Sequence, residues 1–284
     1  MQVLLHLGAH RTDGGLLIRS ILRNRGLLST QGIVVPGPSR YRDLIGEVSE
    51  TLGGEPASET TEDMLLEAIG DDDRAERIVL SNDNFLCQEI DVLTDEGLYP
   101  TAQRSAWLRN CFPSHDVEFA LALRNPATLV PALVAHLPED EGAPTLAALR
   151  PERLRWLDVV VDIAAANPDT PLTIWCHEDA PHIWGELMRE ITAHDPATVL
   201  EGASDMLETL LPPEATGKLN AFLESQGEVT PDQRRQAYAA FLAAHADDAP
   251  CTSWSDETRA DLTAAYAEDI AAIAQLQNVT MVSR

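Results

Sequence analysis

The sequence has little positive charge. Its 284 residues include 20 lysines and arginines against 46 aspartates and glutamates, which gives a formal net charge of −26. A field of that sign repels a phosphate backbone, so we expect no DNA or RNA binding. The acidity favours solubility, with attraction of a cationic partner as the alternative. An anionic ligand therefore needs a local group of donors that outweighs the global field.

Long apolar runs and paired cysteines are also lacking. No stretch approaches about 18 consecutive apolar residues, so we expect no membrane-spanning helix and no membrane partner. The first residues have no basic start and His6 interrupts their apolar run, which argues against a signal peptide. The four cysteines form no C-x-x-C pair and are too few for a disulfide framework. We predict a cytoplasmic protein with buried free thiols. The cysteines are Cys87, Cys111, Cys176 and Cys251.

Short apolar runs alternate with helical patterns along the chain. This alternation predicts an α/β fold, a three-layer α/β/α sandwich with a central parallel sheet. We expect one domain over residues 1–284, with an α/β core in 1–194 and a mostly helical extension in 195–284 packed on it. The predicted strands are Val3–Leu7, Ile33–Val35, Arg77–Ser81, Val117–Leu123, Leu172–Trp175 and, at one edge, Val279–Val282.

Two kinds of segment between these strands have distinct patterns. Apolar residues from Leu16 to Leu28 recur at helical spacing and predict one helix that ends before Gly32. The acidic runs Asp71–Asp73 and Glu139–Glu141 predict solvated loops.

The first predicted strand enters a turn that contains three glycines, Gly8–Gly15. A strand, a glycine-bearing turn and a helix together favour an anion site, because backbone N–H groups at a helix start lack partners. Arg11 adds a planar fork of donors suited to phosphate or sulfate, and Thr12 adds a hydroxyl. The string is not the G-x-x-x-x-G-K-[ST] loop of nucleotide triphosphatases. A tight turn without a ligand is the alternative.

Dispersed motifs resemble those of bacterial sulfotransferase-like proteins. His6-Leu7-Gly8-Ala9-His10-Arg11-Thr12 is similar to the opening loop of that family, and Gln31 to Pro36 to its "G-I-x-x-P" segment. Ile78-Val79-Leu80-Ser81 with Asp83 resembles a strand that ends in serine before an acidic residue. Leu123-Arg124-Asn125-Pro126 is similar to the "R-[DN]-P" strand end. Leu262, Tyr266, Asp269 and Ile273 resemble the closing helix.

The resemblance implies a sulfotransferase fold that binds phosphoadenosine phosphosulfate (PAPS) and passes its sulfuryl group to a hydroxyl or amine. We expect a glycan or small-molecule acceptor. Arg11 would face the leaving phosphate, and Asp83 would take the proton of the acceptor. His10 would act as a general base or as a hydrogen-bond donor to the phosphate. The predicted PAPS-binding residues are Gly8, Thr12, Gly14, Gly15, Ser81 and Arg124.

Several positions depart from the pattern of that family. Asp13-Gly14-Gly15 replaces a glycine and two hydroxyl residues, and Ala132 stands where a serine is usual. Asp13 places a carboxylate beside an anion site, although aspartate is also a favoured helix N-cap. Two functions therefore stay open. The first is a PAPS-dependent sulfotransferase, favoured by Arg11, Thr12 and Arg124. The second is a diverged, non-catalytic relative used for binding or assembly.

The candidate residues also have structural interpretations. His10 is also explained as a polar loop residue, and Asp83 as a turn carboxylate. His177, Glu178 and His182 follow a strand end, but the histidines are five positions apart and Pro181 interrupts them, so we predict no metal site. No prediction of oligomeric state follows from the sequence.

Overall fold

The apolar runs form one parallel sheet in the computed structural model, which describes residues 1–70, 74–137, 139–227, 229–245 and 254–284. Six strands pair in the order β2-β3-β1-β6-β7-β8, and all five pairings are parallel, while β4 and β5 form a separate antiparallel hairpin. The strands are β1 (Gln2–His6), β2 (Ile33–Val34), β3 (Arg77–Ser81), β4 (Leu93–Thr94), β5 (Gly97–Leu98), β6 (Asp116–Leu123), β7 (Leu172–Cys176) and β8 (Val279–Val282).

Helices fill most of the remaining chain. None of those in the described ranges is long and apolar enough to cross a lipid bilayer. They are α1 (Leu16–Arg23), α2 (Arg25–Ser29), α3 (Arg42–Leu52), α4 (Glu59–Ile69), α5 (Ser105–Arg109), α6 (Pro126–Val134), α7 (Glu139–Ala148), α8 (Trp156–Ala166), α9 (Ala180–Thr192), α10 (Asp205–Leu210), α11 (Pro213–Gln226), α12 (Pro231–Ala244) and α13 (Asp256–Ile273).

The sheet separates two apolar cores. Neighbouring residues of a strand point to opposite faces. Val3 and Leu5 accordingly pack in one core, with side chains of α8 and α13. Leu4 packs in the other core, with side chains of α1 and α9. Helices therefore cover both faces, which confirms the predicted three-layer α/β/α architecture with a central parallel sheet. A third, smaller cluster joins α10, α11 and α12.

The last helix is fixed to the core by a buried charge. Asp269 on α13 is only 1% exposed, and its carboxylate accepts hydrogen bonds from the Arg155 guanidinium and from the backbone N–H of Trp156. The shortest of these contacts, from Nη2 of Arg155, is 2.6 Å. These bonds join α13 to the start of α8, beside the strand that carries Arg124.

Two local predictions were wrong. The helix expected over Leu16–Leu28 divides into α1 and α2 at Asn24. The side-chain amide of Asn24 donates to the backbone oxygens of Ser20 and Glu201, and this tertiary contact fixes the break. Residues 139–141, expected in a loop, begin α7. The acidic run 71–73 and Cys251 lie outside the described residues, and the other three cysteines are free thiols.

Candidate functional site

Four neighbouring strands bring their carboxyl ends to one edge of the sheet. Strands β3, β1, β6 and β7 are adjacent and parallel. The segments that follow them contain Asp83, the Gly8–Gly15 loop, Arg124 and His177. In open parallel sheets this edge is where ligands bind. The fold therefore brings together residues from four distant parts of the chain.

The Gly8–Gly15 loop first continues the sheet and then turns sharply. Gly8 accepts a hydrogen bond from Ala122 N at 2.7 Å, and Ala9 N donates to the Ala122 oxygen at 3.3 Å. Gly8 has a φ of 99°, and a Cβ there would lie 3.2 Å from Cα of Asp83. Glycine is needed at this position because both the backbone conformation and the space exclude a side chain.

The loop presents a run of unused backbone donors. From Arg11 to Gly15, no backbone N–H finds an acceptor in the part of the chain that the structure describes. The run ends at Gly15, the N-cap of α1, which has a left-handed φ of 74°. Free N–H groups beside a helix N-terminus attract anions, since the helix dipole adds positive potential there. Of the groups at this edge, these backbone N–H donors are the best suited to an anion.

The side chains of the loop are already engaged. Thr12 Oγ1 donates to the Ala9 oxygen at 2.6 Å. Arg11 forms an ion pair with Glu89, which lies in the 3₁₀ turn Glu89–Asp91. Arg11 is the only arginine in Gly8–Gly15, and the loop contains no lysine, since the one lysine of the sequence is Lys218 on α11. An anion at this site would therefore compete with Glu89 for the Arg11 guanidinium.

Asp13 supports the start of α1, although it is not the N-cap that the sequence predicted. Its Oδ2 accepts a hydrogen bond from Leu17 N at 2.7 Å, and Gly15 occupies the N-cap position. Its Oδ1 is buried and has no partner among the described residues. Asp13 therefore satisfies one N–H group in the first turn of α1 and keeps a buried carboxylate oxygen without a partner in the described chain.

His10 lies at the centre of a buried hydrogen-bond network. Its Nε2 is 2.9 Å from Oδ1 of Asn84, and its Nδ1 is 3.0 Å from the Tyr99 hydroxyl. The same hydroxyl accepts the backbone N–H of His10 at 2.9 Å. Because Oδ1 of Asn84 can only accept, Nε2 of His10 is the donor in that contact. With both nitrogens occupied, His10 is held as an orienting residue of the loop.

Asp83 follows β3 and lies against the loop, since a Cβ built at Gly8 would be 3.6 Å from Cβ of Asp83. Burial raises the pKa of its carboxyl group, and the negative charge of Asp13 raises that pKa further, while His6, His10 and Arg42 oppose the shift. Its Oδ1 is buried without a hydrogen-bond partner in the described chain. A carboxylate with a raised pKa and a free oxygen has the properties of a general base.

Arg124 extends from the end of β6 to the loop. Its guanidinium donates to the backbone oxygen of Arg11, and its Nε donates to Thr128 Oγ1 at 3.2 Å. Burial lowers the pKa of Arg124, and the neighbouring Arg11 lowers it further, while Glu178 opposes the shift. The geometry brings Arg124 together with the loop, while PAPS binding by these residues stays a prediction.

Two aromatic side chains fix the strand end that carries Arg124. The indole N–H of Trp156 donates to the Arg124 oxygen at 2.7 Å. The Tyr266 hydroxyl lies 3.1 Å from both the Leu123 oxygen and Oε2 of Glu178. Trp156 and Tyr266 therefore hold the backbone from which the Arg124 side chain extends.

Ser81 is the last residue of β3, but its side chain is buried. It is 2% exposed, and its Oγ is 2.9 Å from Nδ1 of His6. Its backbone oxygen accepts from Tyr41 and Arg42. The His6 ring stacks on Trp175 with centroids 5.5 Å apart. This arrangement shows a Ser81 hydroxyl that is hydrogen-bonded within the sheet.

His177 lies at the same edge, although no sequence pattern indicated it as a site residue. It follows β7, and burial lowers the pKa of its ring to about 4; Arg124 lowers that pKa further, while Asp13 opposes the shift. His177 is therefore a neutral neighbour of both the arginine and the loop carboxylate. Glu178 accepts the backbone N–H of Asn125 at 2.8 Å. Within the described residues, no group of three histidine, cysteine or acidic side chains could hold a metal ion.

Comparison with protein-family models found no match, and comparison with curated proteins found none. Among solved structures, the chain is similar to a sulfotransferase from Alicyclobacillus acidocaldarius. The alignment covers 85% of this chain and 94% of that protein, with 14% identical residues and a TM-score of 0.43.

Proposed function

We propose that the protein binds the phosphosulfate group of PAPS at the Gly8–Gly15 loop and transfers its sulfuryl group to a hydroxyl of a glycan or small metabolite. One observation carries this proposal. The five backbone N–H groups from Arg11 to Gly15 have no acceptor in the described chain, and they lie beside the Arg124 guanidinium at the ligand-binding edge of a parallel sheet. Convergent N–H donors and a fixed cation stabilise a phosphate that gains charge.

The chemistry needs little from the protein beyond placement and charge. The acceptor oxygen forms a bond to sulfur while the bond from sulfur to the phosphate oxygen breaks, and adenosine 3′,5′-bisphosphate leaves. The proton of the acceptor passes to Asp83, whose raised pKa brings it nearer to neutral pH. Arg11 and the loop N–H groups hold the charge that builds on the leaving phosphate.

Other observations favour the second candidate, a non-catalytic protein that keeps the fold for binding or assembly. Thr12 donates to Ala9, Arg11 is paired with Glu89, and Arg124 donates to the Arg11 oxygen. Asp13 and Asp83 also place two carboxylates near the proposed anion. Binding of PAPS would have to replace or outweigh these internal contacts.

Calorimetric titration with adenosine 3′,5′-bisphosphate separates the two candidates. We expect micromolar binding that is lost in Arg11→Ala and unchanged in Arg234→Ala, which removes an exposed arginine on α12. Transfer of labelled sulfate from PAPS to a mixed saccharide pool then tests catalysis, and Asp83→Asn should abolish it while leaving bisphosphate binding intact. Absence of binding at millimolar ligand would rule out the PAPS proposal.

A further inference from the structure

A polar cleft adjoins the loop. Its volume is about 720 Å³, and its walls come from α3, from the segment after β3 and from the segment that enters α5. This size is typical of sites for small molecules of one to a few rings. Asn84 lines the cleft, and its side-chain oxygen is 2.9 Å from Nε2 of His10 in the loop. An occupant of the cleft would therefore lie next to the proposed PAPS site.

The charges of the cleft favour a cation. Four carboxylates line it against two guanidinium groups. Both guanidiniums are in use. Arg104 pairs with Glu50 at 3.1 Å and lies over the Trp107 ring at 4.6 Å, and Arg42 donates to the Ser81 oxygen at 2.9 Å. The other three carboxylates have no ion-pair partner among the described residues; they are Asp43, Glu47 and Asp91.

The cleft also contains hydrogen-bond donors without acceptors. Asn82 is 9% exposed and lines the cleft. Its Oδ1 accepts from Asn84 N at 3.2 Å, but its Nδ2 donates to no acceptor in the described chain. The Nδ2 of Asn84 is likewise unused there. Both amide nitrogens are accessible from the cleft and can donate to oxygen atoms of a ligand.

We propose that this cleft binds an amine-bearing saccharide as the acceptor of the transfer proposed above. The free carboxylates would bind its ammonium groups, and the two side-chain amides would donate to its hydroxyl oxygens. Trp107 forms an apolar wall, fixed on one ring face by Arg104 and at its edge by Gly54. The role of the saccharide as an acceptor rests on the proposed function, whereas its binding to the cleft requires no PAPS.

Three disaccharides with one skeleton test the proposal. At carbon 2 of each ring, the β-1,4-linked glucosamine dimer carries an ammonium group, its N,N′-diacetyl form an acetamide, and cellobiose a hydroxyl. By calorimetry without PAPS, we expect the glucosamine dimer to bind at least about tenfold more tightly than the other two. Spermidine, a cation without hydroxyls, should bind more weakly than the dimer.

Matched variants locate the binding. Glu47→Gln combined with Asp91→Asn should weaken the glucosamine dimer by at least about tenfold. Glu59→Gln, an exposed change at the start of α4, should leave binding unchanged. The altered side chains are exposed, so each variant should unfold at the same temperature as the wild type. A thermal unfolding curve therefore verifies that the variants are folded.

The outcomes separate this proposal from the proposed function. Equal affinity for the three disaccharides, no binding of the glucosamine dimer at about 10 mM, or spermidine binding as tightly as the dimer would overturn the cleft proposal. If the dimer binds but adenosine 3′,5′-bisphosphate does not, the cleft stands and the sulfotransferase proposal fails. If only the bisphosphate binds, the reverse holds.

Discussion

The contact between Arg11 and Glu89 leads to a quantitative prediction. Glu89→Gln removes the negative charge that occupies the loop cation and leaves the side chain almost the same shape. Both groups are partly exposed, at 27% for Arg11 and 37% for Glu89, so the substitution should be tolerated by the fold. We expect the variant to bind adenosine 3′,5′-bisphosphate more tightly than the wild type.

The expected size follows from the position of the carboxylate. A phosphate on the far side of the Arg11 guanidinium would lie about 7 Å from Glu89. At an effective dielectric constant of about 20, repulsion over that distance is about 2.4 kcal/mol per unit charge. Screening at physiological salt reduces it, since the Debye length there is about 8 Å. The net gain should be about 1–2 kcal/mol, or roughly 5- to 30-fold in affinity.

The assay is calorimetry on wild type, Glu89→Gln and Glu96→Gln. Glu96 is exposed in the turn between β4 and β5, and its substitution makes the same change in net charge. We expect a gain only in Glu89→Gln, and a smaller gain as salt is raised. If Glu89→Gln binds no more tightly than Glu96→Gln, competition is refuted. If it binds more weakly, Glu89 orients Arg11 for the ligand instead of opposing it.

Three further substitutions have expected outcomes. Gly54→Ala should lower the free energy of unfolding by about 1–3 kcal/mol in urea denaturation, because its Cβ would lie 2.6 Å from the indole nitrogen of Trp107 at a φ of 89°. Asp269→Asn should cost about 2–4 kcal/mol in the same assay, since Arg155 loses a buried partner. His177 has a pKa of about 4 in the folded protein against its ordinary value of 6.5, so the unfolded chain gains a proton first as the pH falls. Relative to His177→Gln, the free energy of unfolding of the wild type should therefore fall by up to about 3 kcal/mol between pH 7 and 4. Parallel plots of unfolding free energy against pH for the two proteins would contradict this.

The sheet could be predicted because its strands are short apolar runs with polar ends. Arg77–Ser81 and Val279–Val282 have the predicted bounds. The break at Asn24 could not be predicted, since its cause is a hydrogen bond to Glu201, far along the chain. The spacing of apolar residues indicates a helix, but it contains no information about such a tertiary contact.

The candidate site was predictable to a similar extent. The loop and Arg124 follow strands, so strand order alone brings them together. The roles of Glu89 and Tyr99 depend on contacts across about 80 or more residues, which no spacing in the sequence records. The engagement of Ser81 with His6 has the same origin, because the register between β1 and β3 sets these residues opposite each other.

One side chain belongs to both the loop and the cleft. The side-chain oxygen of Asn84 accepts from His10, and the same residue lines the cleft. A ligand that holds the nitrogen also fixes the orientation of the carboxamide, and so strengthens the contact that orients the loop. Such linkage is reciprocal: occupation of either site changes the affinity of the other by the same factor. The total binding free energy of the two ligands would then be the same for either order of binding. The affinity for each ligand would change when the other is present.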